Sequence, residues 1–141
     1  MKLLDYTGKL NHHQEYLQII RQLENKCLYI EYVLVNEDEK EFIEKFESLI
    51  VSAEDKKKWW GTKSSRKNRV YKVKASKEIF KYLKQFETFC KYTASVRGDV
   101  AEETDFGSND IAFFDDKELP LLFTTTHEAV SYTHLTLPTN S

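Results

Sequence analysis

Residues 27–35 read CLYIEYVLV, nine positions in which Glu31 is the sole charge and Tyr, Ile and Val supply most of the rest. A run this short, apolar and rich in β-branched and aromatic side chains predicts a strand in the middle of a sheet, covered on both faces. Upstream, Tyr16, Ile19, Ile20 and Leu23 recur at helical spacing through residues 12–25, with Asn11 placed as a cap and Gln14 completing a capping box. This first helix has one stripe to bury, and the apolar character of 27–35 predicts that it lies on the sheet face opposite the other helices.

Downstream, residues 37–53 predict a second helix, with Glu37, Asp38 and Glu39 at its positive end and Phe42, Ile43, Phe46, Leu49 and Ile50 as its stripe. KKKWWG (56–61) and RVYKVKA (69–75) predict two short strands joined by a polar turn over 62–68. Period two sets Tyr71, Val73 and Ala75 on one face of the second strand and Val70, Lys72 and Lys74 on the other. Ser76 is expected to cap a third helix reaching residue 92, lined by Ile79, Leu83, Phe86 and Cys90 and widened by Tyr82 and Phe89. A polar, acidic stretch (93–109) then leads to strands at 110–114 and 119–126, paired across a turn at 115–118.

From residue 27 the order is β, α, β, β, α, β with one more strand. That is the split βαβ pattern of ferredoxin-like folds: an α+β sheet (βαββαβ) with an extra N-terminal helix and an extra C-terminal strand. The competing layout leaves 56–68 as a disordered basic loop beside a four-stranded mixed sheet. A length of 141 residues suits one domain, assigned here to 1–128, and a composition of 40% apolar and 31% charged residues opposes disorder. Two cysteines, Cys27 and Cys90, make neither a disulfide scaffold nor a zinc site, so reduced thiols, no metal and no cofactor are expected. With no signal peptide and no apolar span near 18 residues, a cytoplasmic location and no membrane partner are expected.

A net charge of −2 conceals a separation: residues 56–77 hold ten Lys/Arg and no acid, so this block carries +10 and the remainder −12. Trp59, Trp60, Val70, Tyr71 and Val73 interleave the cations, which favours folded structure over a tail. Cations attract phosphate regardless of sequence, and an exposed indole stacks on a base. The candidate anion-binding residues are therefore Lys57, Trp60, Lys63, Arg66, Lys67, Arg69 and Lys72. Four cations within 63–69 repel one another, so the hairpin tip is expected to project into solvent. On the opposing structural reading the indoles are core, lysine stems cover the sheet and the charge offsets the acidic second helix.

The resulting expectation is a small non-catalytic binding or regulatory module whose basic hairpin meets an anionic partner, nucleic acid or protein. An immunity-type or adaptor protein would instead turn the acids of 37–54 and 99–118 against a basic protein. A third reading is a small enzyme centred on His127, which follows the apolar run LPLLFTTT with Glu128 beside it, near the acids Asp105 and Asp110 only if the fold so arranges. His12 and His13 are adjacent and cannot share a metal as an i, i+4 pair does. The acids Glu102, Glu103, Asp105 and Asp110 lack the calcium-loop pattern, and GTKSSRKNR lacks phosphate-loop spacing.

LYIEYV (28–33) resembles the first-strand motif of RNA-recognition domains, which implies a stacking ring on an open sheet face. RVYKVK (69–74) departs from the partner motif of that family, since it has no glycine. The last thirteen residues, AVSYTHLTLPTNS, contain no Asp, Glu, Lys or Arg. VSYTHLTLPTN resembles a translated sequencing-adapter read-through, which implies that the natural chain departs near Glu128 and that 129–141 is a non-native or disordered tail with few contacts to the core.

Overall fold

A computed structural model of the protein describes residues 4–5, 13–59, 62–89, 91–95, 98–102, 106, 109–116, 120–125 and 130–133; residues 4–5, 62–66, 91–95, 98–102, 124–125 and 130–133 are described by their backbone. In chain order the elements are β1 (Leu4–Asp5), α1 (His13–Lys26), β2 (Tyr29–Leu34), α2 (Glu41–Lys45), a 3-10 turn (Glu47–Leu49), β3 (Ile50–Trp59), β4 (Thr62–Lys74), α3 (Lys77–Leu83), β5 (Lys91–Ser95), β6 (Gly98–Glu102), β7 (Asp110–Phe114), β8 (Pro120–Thr125) and β9 (Val130–Thr133). The class is α+β. Seven strands form one sheet in the order β1-β9-β8-β7-β2-β4-β3, every pair antiparallel, and β5 and β6 form a separate hairpin. That order is wider than the four or five strands expected.

The run at 27–35 supplies the central strand. Ile30 stands opposite Val73 on β4 and Phe113 on β7, and Tyr32 opposite Tyr71 and Ile111, so these residues share one face. On it Tyr16, Ile19, Ile20 and Leu23 of α1, Phe42 and Ile43 of α2, and Ile79, Phe80 and Leu83 of α3 join a single core. Phe42 stacks on Tyr32 with ring centroids 4.6 Å apart, and the Tyr16 hydroxyl donates to the Leu83 carbonyl, tying α1 to α3. The first helix therefore lies with the other two, and the expectation of the opposite face is corrected. The reason is coverage: α2 and α3 have five and seven residues, about 7.5 and 10.5 Å of helix. A sheet of seven strands is about 29 Å wide. The two short helices leave apolar strand surface bare, and α1 fills it.

Both of those helices end earlier than periodicity suggests. Phe42, Ile43 and Phe46 are buried as expected, but the chain leaves the helix at Lys45 and enters β3 at Ile50, opposite Val73. β4 needs a partner for its outer backbone groups, and Ile50 and Val51 are good strand formers, so pairing overrides helical spacing. Ser76 does cap α3, its Oγ accepting from the Ile79 amide at 3.3 Å, yet the helix stops at Leu83. Phe86 and Phe89 still reach the core from the following turns, each edge-on to Phe106, at 5.4 and 4.9 Å. Part of the stretch read as a polar loop forms the β5–β6 hairpin. Cys90 lies outside the described residues.

Val130–Thr133, within the segment expected to be a peripheral tail, is β9 and pairs with both β8 and β1. This corrects the expectation of few contacts: β8 offers an open edge, and a Val-Ser-Tyr-Thr segment has the β propensity to take it. Among the described residues no helix is long and apolar enough to cross a membrane.

Asn109 locks the sheet to the loop before α2. Fully buried, it accepts at Oδ1 from the Val35 and Asn36 amides (2.8 and 2.7 Å) and donates from Nδ2 to the Tyr32 hydroxyl and the Glu39 carbonyl (2.9 and 2.8 Å). All of its hydrogen-bonding capacity is used, and removing it breaks four hydrogen bonds at once. Asn109→Ala is expected to lower the unfolding free energy by about 3 kcal/mol, measured by urea denaturation.

Candidate functional site

The basic segment folds as one long ribbon. β3 and β4 run 10 and 13 residues and pair antiparallel as far as Trp59 opposite Thr62, so the expected turn over 62–68 is instead strand. Solvated antiparallel ribbons tolerate polar side chains throughout, which is why TKSSRKN reads as a loop and pairs as a strand. The register jumps between Lys56, opposite Asn68, and Lys58, opposite Lys63: one residue of β3 faces four of β4. Such a bulge bends and twists the strands.

The bend carries the end of the ribbon back over the second sheet face. Trp59 is 7% exposed, its indole N–H donates to Glu31 Oε1 at 2.8 Å, and its ring meets Phe123 of β8 edge-on at 6.5 Å. Val33, Val70, Ala112, Phe114 and Phe123 complete this second core, to which no described helix contributes. The end of β3 thus packs back at Trp59, where an indole and the lone carboxylate of β2 meet across the face, while Lys67 and Arg69, two of the four cations expected to project, are exposed. A hydrogen bond to a charged acceptor of this kind contributes about 1.5–3 kcal/mol. Between sheet and ribbon lies a cavity of about 220 Å³ lined by Glu31, Ser52, Glu54, Lys56, Val70 and Lys72. Its walls carry two carboxylates and two ammonium groups, so it is not an anion pocket.

The cations stand mostly on the outside. Lys56, Lys57, Lys58, Lys67 and Lys74 are exposed. Lys56 lies 3.7 Å from Glu54 and Arg69 lies 3.3 Å from Asp55, both pairs well exposed and worth less than about 1 kcal/mol each. Lys72 sits 4.2 Å above the Tyr29 ring, which itself stacks on Phe114 at 4.9 Å and 4°. The ring that a likeness to RNA-recognition domains implies is thus on the helix-free face, half-buried and covered by a lysine. Of the seven candidates, Lys57 and Lys67 are exposed without an acidic partner among the described residues, Arg69 shares Asp55, and Lys72 covers Tyr29. Lys63 and Arg66 are placed in β4 by their backbone, and Trp60 lies outside the described residues. The register sets Lys57 opposite the stretch of β4 that holds Arg66 and Lys67, with Arg69 and Lys72 further along the same strand.

Sequence reasoning passed over Glu31 and treated Trp59 only as one of a pair. The signal was present: an acid alone in an apolar strand requires a buried donor, and an indole N–H is one. Elsewhere, Glu37, Asp38, Glu41 and Glu44 with Lys40 and Lys45 surround an open depression at α2. His127, His12 and Glu128 lie outside the described residues, and His13 Nδ1 stands 2.7 Å from the Glu87 carbonyl. No group of three or more His, Cys, Asp or Glu able to hold a metal occurs among the described residues. No protein-family model matches the chain, and neither a curated protein nor a solved structure matches it.

Cys27 is buried and its thiol donates to the Tyr29 carbonyl at 3.1 Å. Burial pushes its pKa up from 9.0 to about 12, and burial also raises the Tyr32 phenol above its usual 10.0. A raised folded pKa stabilises fully below the unfolded value and less as pH climbs toward the folded one, so the Cys27 contribution fades between pH 9 and 12. Going from pH 7 to pH 10 is expected to cost about 1 kcal/mol through this thiol, and Cys27→Ala is expected to remove that part of the loss in paired urea titrations.

Proposed function

We propose that the protein is a non-catalytic binding module that holds an extended polyanion, single-stranded nucleic acid in the first instance, along the outside of the β3–β4 ribbon. The observation that carries this reading is the set of exposed cations Lys57, Lys58 and Lys67, unpaired with acids among the described residues, on a ribbon anchored by the Trp59–Glu31 hydrogen bond. Unneutralised cations on an ordered frame release counterions from phosphate without first being ordered. Their distribution over both strands of the ribbon suits an extended chain of charges, and phosphate attraction by these cations is the main source of affinity on this reading.

The same reading takes the four central strands and the segments linking them as a ferredoxin-like unit. The order β7-β2-β4-β3, with α2 between β2 and β3 and α3 between β4 and β7, supports it. Strands β1, β8 and β9 and the β5–β6 hairpin are then additions to that unit, and a cytoplasmic location suits a nucleic-acid partner. The second reading, an adaptor directed at a basic protein, draws on the four carboxylates around the α2 depression.

Titration of a fluorescent oligo-dT at 20–200 mM salt discriminates between them. Binding at low salt is expected, with log affinity falling linearly in log salt. Substituting Lys57, Lys58 and Lys67 by Ala together is expected to flatten the slope by about 2, at roughly 0.7 per lost phosphate contact. Absence of binding at 20 mM salt sinks the polyanion reading and moves the acidic α2 surface ahead.

A further inference from the structure

We infer that β3 is a self-complementary edge through which two copies of the chain associate, extending the sheet across a two-fold axis. β3 ends the sheet, hydrogen-bonded to β4 on one side and to no other described strand. From Ser52 to Lys58 its residues are exposed, Ala53 alone being half-buried. The larger register jump, between Lys56 and Lys58, puts its extra residues on β4, so β3 itself carries no inserted residue over this window. Among the described residues its outer backbone groups have no strand partner, and such an edge accepts another strand.

The side chains of that window read S-A-E-D-K-K-K, acids followed by bases. Parallel pairing in register sets like against like, whereas antiparallel pairing opposes unlike charges. Symmetry restricts the register further. Narrow and wide pairs alternate along an antiparallel ladder, so a two-fold axis must pass where a residue faces its own copy. With Lys56 on the axis, Asp55 faces Lys57 of the partner subunit and Glu54 faces Lys58 of the partner subunit, each twice. Four unlike pairs result. The one like pair is Lys56, whose ammonium already lies 3.7 Å from Glu54. Shifting the axis to Asp55 opposes two aspartates and keeps only the two Glu54–Lys56 pairs; shifting it to Lys57 sets Lys56 against Lys58. Lysines on an edge strand ordinarily repel strand addition, but with acids just ahead of them they select a single register.

Lys57 and Lys58 serve here and in polyanion binding, so association is measured without polyanion, and its failure leaves the oligonucleotide titration to stand alone. The paired window is short and the dimer weak, so sedimentation equilibrium is run on the full chain at about 0.5 mM and low salt. The wild-type mass is expected to rise toward twice the 16.7 kDa of the protomer. Glu54→Lys with Asp55→Lys gives one variant and Lys57→Glu with Lys58→Glu another; all four sites are exposed, and circular dichroism checks each fold. Each double variant alone is expected to stay at the protomer mass, and their equimolar mixture to form a one-to-one dimer. A wild type that remains at protomer mass, double variants that dimerise like it, or a mixture that fails to associate overturns the inference.

Discussion

The hydrogen bond from Trp59 to Glu31 is where the two halves of this protein's charge problem meet. β2 is the strand around which both cores are built, and it carries a carboxylate on the face that no helix covers. Glu31 is half-buried there, and a donor lowers the cost of drawing its oxygen from water. The indole supplies the donor and an apolar body together, and it can reach only because the β3–β4 ribbon is long and bulged. This contact and the packing of Trp59 against Phe123 hold the end of β3 on the second face, with Lys56, Lys57 and Lys58 exposed beside it.

The helix side follows a different logic. α2 and α3 are too short to cover the sheet, and α1 is drawn onto the same face, where Tyr16 joins α3 through its hydroxyl and Phe89 through an edge contact at 4.9 Å. Aromatic side chains from irregular segments, Phe86, Phe89 and Phe106, finish the core where regular helix ends. Among the described residues, the outside of the ribbon and the α2 rim present clustered charge. The ribbon is basic on the outside and mixed in charge within its cavity. The polyanion reading therefore concerns an exterior surface rather than a pocket.

The candidate site was legible in part. Ten cations in 22 residues without an acid are visible in the bare sequence, and Lys57 and Lys67 stand exposed as that block implies. Which cations are already engaged was not visible. Arg69 meets Asp55 because the register sets those two residues opposite one another, and Lys72 covers Tyr29 because neighbouring strands bring a lysine and an aromatic ring onto one face. Register is fixed by pairing between strands, here of partners 14 residues apart for Arg69 and Asp55, and local spacing does not encode it.

By itself the sequence determined the elements whose side-chain period is unambiguous: α1 with its stripe Tyr16, Ile19, Ile20 and Leu23, β2 from its unbroken apolar run, β7 at Asp110–Phe114, and the cap of α3 at Ser76. These follow from local sterics and from the burial of one stripe or two faces, which act over a few residues. Tertiary structure alone decided where α2 stops, how far β3 and β4 extend, which face α1 occupies and that Trp59 turns inward. Each of those outcomes depends on satisfying backbone groups or a carboxylate with a partner distant in the chain, and that competition is settled only when the strands are assembled.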